Sequence, residues 1–127
     1  QELGLNTCWV AMTYSKIKTA FQVEKGEKLC IVIALGYGET QGLPHKSKSM
    51  EEVIQLDGPA PEWFQKGVEA ALLAPTAMNQ QKFLFRLDKN RVSVKAGFGF
   101  YTKIDMGIVK YHFEIGAGKE HFQWELS

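Results

Sequence analysis

An α+β fold, a mainly antiparallel sheet packed with helices, follows from three patterns in the sequence. Residues 83–87 and 91–95 alternate apolar and polar side chains on either side of Asp88-Lys89-Asn90, which predicts a β-hairpin. Residues 61–74 and 105–115 place apolar side chains at three-to-four spacing, which predicts helices. Residues 28–37 are rich in Ile, Val and Leu and short enough to form a buried strand.

The remaining elements follow in order. Leu3-Gly4 reads as the last turn of a helix and its glycine stop, so the chain is expected to continue upstream. A turn and a short apolar segment should occupy residues 4–13, and a short helix residues 14–21, with Ile17 and Phe21 on one face. Glu24-Lys25-Gly26-Glu27 is a polar turn, and residues 38–49 carry the Gly, Pro, Lys and Ser of a loop. Ser49 with Glu52 three residues on has the form of a capping box. Asp57-Gly58-Pro59-Ala60-Pro61 breaks the chain, and Pro61 suits the first turn of the helix that follows, with Trp63, Phe64, Val68, Ala71 and Leu72 on its apolar stripe. The second helix should stop at Gly116, and residues 121–126 alternate as a final strand.

The chain has 127 residues, enough for a single domain spanning 1–127 with a real core. Hydrophobic residues make up 45% and charged residues 23%, the balance of an ordinary globular protein. A formal net charge of +1 argues against a nucleic-acid partner. The longest apolar run, residues 29–35, is too short to span a bilayer, and the start lacks the pattern of a signal peptide. Cys8 and Cys30 lie among apolar residues and form no CxxC, so buried free thiols in a reducing cytoplasm are expected.

Two glycine clusters imitate phosphate loops and fail in detail. In Gly36-Tyr37-Gly38-Glu39-Thr40-Gln41-Gly42 the third glycine is one residue late, and Pro44 follows where a helix should open. Gly116-Ala117-Gly118-Lys119 has Phe113 in place of the first glycine and Glu120 in place of Ser or Thr. His45, His112 and His121 have no metal spacing, and His112 is expected to pack in a core or interface. No nucleophile–base constellation can be built, so no catalytic side chain and no metal ligand is assigned.

Three other segments carry chemistry together. Gly4-Leu5-Asn6-Thr7-Cys8-Trp9-Val10 resembles the run in FMN-dependent nitroreductases where a helix ends and the following loop lies against the flavin ring. Asn6 replaces the usual second glycine, and Asn tolerates a left-handed backbone. Ala34-Leu35-Gly36-Tyr37, followed by Pro44-His45-Lys46-Ser47-Lys48, is similar to that family's strand end and the basic residues after it. Read without the resemblance, the same loop is a solvated lysine-rich segment. Leu73-Ala74-Pro75-Thr76-Ala77-Met78-Asn79-Gln80-Gln81 resembles the family's Ala-Pro-Ser helix end and Asn-x-Gln, with Lys82-Phe83 in place of Pro-Trp. Its plainer reading is an amide-rich helix terminus.

The resemblance implies an FMN-dependent oxidoreductase passing hydride from NAD(P)H to a nitroaromatic or quinone-type acceptor. It implies Asn79 and Gln81 at the ring edge, the backbone of Val10, Ala11, Met12 and Thr13 beside the ring, and Lys46 and Lys48 on the phosphate. The order of the segments matches a two-lobed nitroreductase branch, of which this chain is similar to the C-terminal part. The family's N-terminal Arg-rich element is not found. A homo-oligomer or a separate N-terminal half is therefore expected, and the alternative is a non-catalytic fragment unable to hold FMN alone.

Overall fold

The computed structural model describes residues 3–11 and 22–125. The chain divides into two compact units, Gln1–Pro44 and His45–Ser127.

The first unit is built on an antiparallel ribbon. Strand β1, Asn6–Val10, pairs with β2, Val32–Gly36, in a register that sets Cys8 opposite Ala34. The strand expected over residues 28–37 is thus five residues long, and it is not buried: Ile33 and Leu35 are exposed. Two paired strands have no interior in which a β-branched run can be enclosed. For the same reason Cys8 and Cys30 are exposed rather than buried thiols. The left-handed residue of the opening turn is Gly4 (φ +71), not Asn6. Asn6 instead opens β1 and donates its amide to the Thr40 carbonyl at 2.8 Å. The helix expected over residues 14–21 lies outside the described residues.

The second unit holds every fully buried apolar side chain among the described residues. Its sheet runs in the order β3 (Ile54–Gln55), β4 (Phe83–Asp88), β5 (Arg91–Ala96), β6 (Gln123–Trp124). The predicted hairpin is β4–β5, antiparallel, with Phe85 opposite Val94 and Asp88 opposite Arg91. Lys89 takes the positive φ (58°) that so short a turn requires. The flanking strands β3 and β6 pair in parallel over two residues each, so antiparallel pairing dominates. The capping box forms around Met50–Glu52, where the Glu52 carboxylate accepts from the Ser49 N–H at 2.9 Å. Among the described residues no helix is long and apolar enough to cross a membrane.

Helix α1, Glu62–Leu72, follows Pro61 and buries Phe64, Gly67, Val68, Ala71 and Leu72, a stripe at three-to-four spacing. Helix α2, Thr102–Ala117, buries Asp105, Val109, Phe113 and Ala117, each four residues from the last. It starts three residues before the expected Asp105 and does not stop at Gly116. A Cβ on Gly116 would collide with the Lys66 carbonyl of α1, and one on Gly67 would lie 2.6 Å from Phe113. Both glycines are where the two helices touch. The helix ends at Gly118 (φ +76), whose N–H donates to Glu114 O. His121 belongs to a 3-10 turn, Lys119–His121, so the last strand is shorter than its alternation suggested; Leu126 is outside the described residues.

The core is aromatic. Phe113 stacks on Phe85 at 4.8 Å between ring centres and meets Phe64 and Phe122 edge-on. Trp63 lies parallel to Phe122 at 6.0 Å. His112 is half-buried and bonds the Ala70 carbonyl at 3.2 Å, a packed helix-face histidine as its position suggested.

Candidate functional site

Leaving α1, the chain passes Ala74-Pro75 and enters a 3-10 turn, Ala77–Asn79, before β4 begins. Met78, Asn79 and Gln81 have positive φ, at 53°, 51° and 43°. Asn adopts this backbone readily; Met and Gln do so at a cost of about 1–2 kcal/mol each. Such strain persists only where neighbouring contacts hold it.

The contacts come from residues 45–48. Gln81 is 2% exposed, and its side-chain amide donates to the Lys46 carbonyl (2.8 Å) and to Asn79 Oδ1 (2.8 Å). Its Oε1 accepts from the Lys48 N–H at 2.9 Å, while the Lys48 ammonium donates to the Gln81 carbonyl at 3.0 Å. Asn79 Nδ2 adds a bond to the same Lys46 carbonyl at 2.9 Å. His45 closes the clamp from the other side through Nε2, 2.9 Å from the Leu72 carbonyl at the end of α1.

Four of the expected residues, Lys46, Lys48, Asn79 and Gln81, are therefore brought into one hydrogen-bonded cluster. Asn79 and Lys46 are exposed, Lys48 is half-buried and Gln81 is buried. Val10 ends β1 and Ala11 follows it, both half-buried in the first unit. Met12 and Thr13 lie outside the described residues.

Three residues of this neighbourhood, Asp105, Gln80 and His45, were given no site role from sequence. Asp105 is 8% exposed; its Oδ1 accepts from the Ala77 N–H at 2.9 Å and its Oδ2 from the Gln80 amide at 2.6 Å. The same Gln80 amide also bonds the Phe100 carbonyl. His45 bonds across 27 residues. The sequence offered one signal for Asp105, an acid inside a helix stripe whose other members are apolar.

A concave feature of the surface lies elsewhere in the second unit. It is an open groove of about 640 Å³ lined by residues such as Gln55, Arg86, Asp88, Arg91, Lys95 and Lys110. No expected site residue lines it, and its cations are offset by Asp57, Asp88 and Glu125. The clamp, not the groove, collects four of the expected site residues.

A mainly antiparallel sheet with helices α1 and α2 and an amide clamp at the end of α1 is the nitroreductase-like α+β fold. A family model described as "Putative TM nitroreductase" matches residues 1–117, and the chain belongs to this family. A solved structure from Thermotoga maritima, described as a "putative nitroreductase", is similar to this chain with a TM-score of 0.67. The two are 21% identical over 90% of this chain and 46% of the other, a likeness of fold. The chain thus spans less than half the length of that relative. Comparison with curated proteins finds no match.

Proposed function

We propose that this chain contributes the flavin-edge and phosphate-binding elements of an FMN-dependent oxidoreductase, one that passes hydride from NAD(P)H to a nitroaromatic or quinone-type acceptor. The observation that carries this reading is the clamp itself, which sets an exposed Asn79 amide and Lys46 in one small cluster.

The residues fit such a cofactor. A primary amide has two donor hydrogens and two acceptor lone pairs. Asn79 uses one hydrogen on Lys46 O and one lone pair on Gln81, which leaves one of each on an exposed side chain. That pair matches a ring edge that both donates and accepts. Lys46 makes no ion pair among the described residues, and its ammonium suits a phosphate. Lys48 keeps two further N–H donors beyond its bond to Gln81 O. Gln81 has committed both amide hydrogens to protein atoms, so its part is to hold Lys46, Lys48 and Asn79 in place.

Flavin, when bound, supplies the hydride chemistry; the protein binds it and tunes its electronics by hydrogen bonds. No side chain of the clamp is needed as an acid or base. We place the protein in the cytoplasm, as a homo-oligomer or joined to a half that supplies further phosphate ligands. A second reading is a non-catalytic piece that does not hold FMN alone.

Asn79→Leu tests the first reading. It should weaken FMN by on the order of 1–3 kcal/mol, because polar ring atoms lose their partners. Changing Lys46 and Lys48 together to Gln should weaken FMN more than riboflavin, which has no phosphate. Unaltered FMN titrations in the Asn79 variant remove this residue from the site, and a wild-type chain that purifies colourless and takes up no FMN favours the second reading.

A further inference from the structure

Asp105 is a buried carboxylate in the first turn of α2 and makes no ion pair among the described residues. The other buried members of its stripe, Val109, Phe113 and Ala117, are apolar. Burying a carboxylate without a cation is costly unless hydrogen bonds hold it. The positive end of the helix dipole eases that cost without giving a reason for it. An apolar side chain would fill the same place, so packing alone does not account for the charge.

The bonds of Asp105 leave its own helix. Oδ1 accepts from the Ala77 N–H at 2.9 Å, and Oδ2 accepts from the Gln80 side-chain amide at 2.6 Å. Ala77 and Gln80 bracket Met78 and Asn79, whose backbones are both left-handed (φ 53° and 51°). Within the turn, the Asn79 N–H donates to the Thr76 carbonyl at 2.9 Å and the Gln80 N–H to the Ala77 carbonyl at 3.1 Å. Those two bonds close the turn on itself and tie it to no other element. Asp105 ties it to α2.

Gln80 is aimed by its surroundings. One amide hydrogen goes to Asp105 Oδ2 and the other to the Phe100 carbonyl at 2.6 Å, so both are committed. A Cβ at position 99 would collide with Gln80 Oε1, so Gly99 makes the room in which this amide lies. Two donors thus converge on one side chain, and a carboxylate accepts from both at once. An amide in its place would accept from one donor and turn its NH2 group towards the other.

We propose that Asp105 is a positioning residue for the flavin-edge amide: it ties the turn of residues 77–80 to α2 and so fixes where that turn presents Asn79. It acts through Ala77 and Gln80 and touches no ligand itself. A strained turn keeps its shape only while its neighbours support it, and a binding group is placed well only when a second layer locks it. The proposal rests on the flavin-site reading above.

The test titrates the whole chain with FMN and with riboflavin, well below the melting temperature. Asp105→Asn is nearly isosteric and sets an NH2 group against one of the two donors. Its FMN affinity should fall on the order of tenfold. Riboflavin should lose the same factor, because the tether serves the ring edge and not the phosphate. In an Asn79→Leu background the same change should cost less than about twofold, since the residue it positions is already gone. Amide exchange at Ala77 should quicken in Asp105→Asn while exchange in α1 holds. Should Asp105→Asn not fold, Gln80→Met removes one of the two tethers without adding a charge, and the same titrations apply. The positioning role is overturned by wild-type FMN affinity in the variant, by unchanged exchange at Ala77, by an effect undiminished in the Asn79→Leu background, or by a larger loss for FMN than for riboflavin. A wild-type chain that takes up neither flavin is the failure of the flavin-site reading itself and takes the positioning role with it.

Discussion

The aromatic core and the amide clamp belong to the same unit and are held by opposite kinds of force. Around Phe113 the packing of Phe64, Phe85, Phe122 and Trp124 is non-directional and depends on area and fit. Around Gln81 a few directional bonds hold three non-glycine residues in a left-handed backbone. Losing a core ring should lower the stability of the whole unit and leave the geometry of the clamp alone. Losing a clamp amide should loosen the clamp, at a smaller cost in stability, and leave the packing of the core alone. Stability is concentrated in one region and the preparation for binding in the other, a division expected when a site is mounted on a rigid scaffold.

The largest effect is expected at Phe113, which is fully buried. Phe113→Ala should cost about 3–5 kcal/mol, the lost transfer energy plus the cavity left between α2 and the sheet. Urea denaturation checks this. FMN affinity measured well below the melting temperature should stay within twofold of wild type, and a large loss there would break the separation between core and clamp.

Gln81→Leu probes the other side. It strips partners from the Lys48 N–H, the Lys46 carbonyl and Asn79 Oδ1, at a cost on the order of 1–3 kcal/mol. The distinguishing readout is amide hydrogen exchange. Protection should fall at residues 46–48 and 77–81 and hold in α1 and α2. Uniform loss of protection would make Gln81 a core residue in all but name.

The smallest effect is expected where the two kinds of force meet. Glu114 bonds the Lys119 ammonium at 2.7 Å and the Trp124 indole N–H at 2.8 Å, and Trp124 packs on Phe113 and Phe122. Lys119 first, and then Trp124, hold the Glu114 carboxyl below the usual glutamate range. A carboxyl depressed on folding stabilises the protein above its unfolded value, and that contribution is lost as pH falls through the folded one. Wild type should therefore lose stability on acidification below about pH 4, the ordinary glutamate value, more steeply than Glu114→Gln. The difference should be a fraction of a kcal/mol, since Lys119 is largely in water and screened. Thermal melts of both proteins across that range would show it; parallel curves would mean the Glu114 charge adds nothing to stability.

Short-range pattern by itself determined most of the second unit. The β4–β5 hairpin, the stripe of α1 and the Ser49 capping box depend on residues within a turn or two of each other, so they can be read from the string. The resemblance of Asn79 and Gln81 to a family pattern was visible there too. Tertiary structure decided what depends on distant neighbours. Gly116 looked like a stop and is a helix contact, because Lys66 and Ala70 lie against it. Residues 28–37 looked like a buried strand, and the strand that forms, 32–36, is largely exposed, because among the described residues it pairs with β1 alone. Asp105 looked like one more helix residue, and Gln80 like part of an amide run. Both became anchors only when folding brought residues 77–80, 98–100 and 105 together, since a hydrogen bond across 20 or more residues leaves no trace in local spacing.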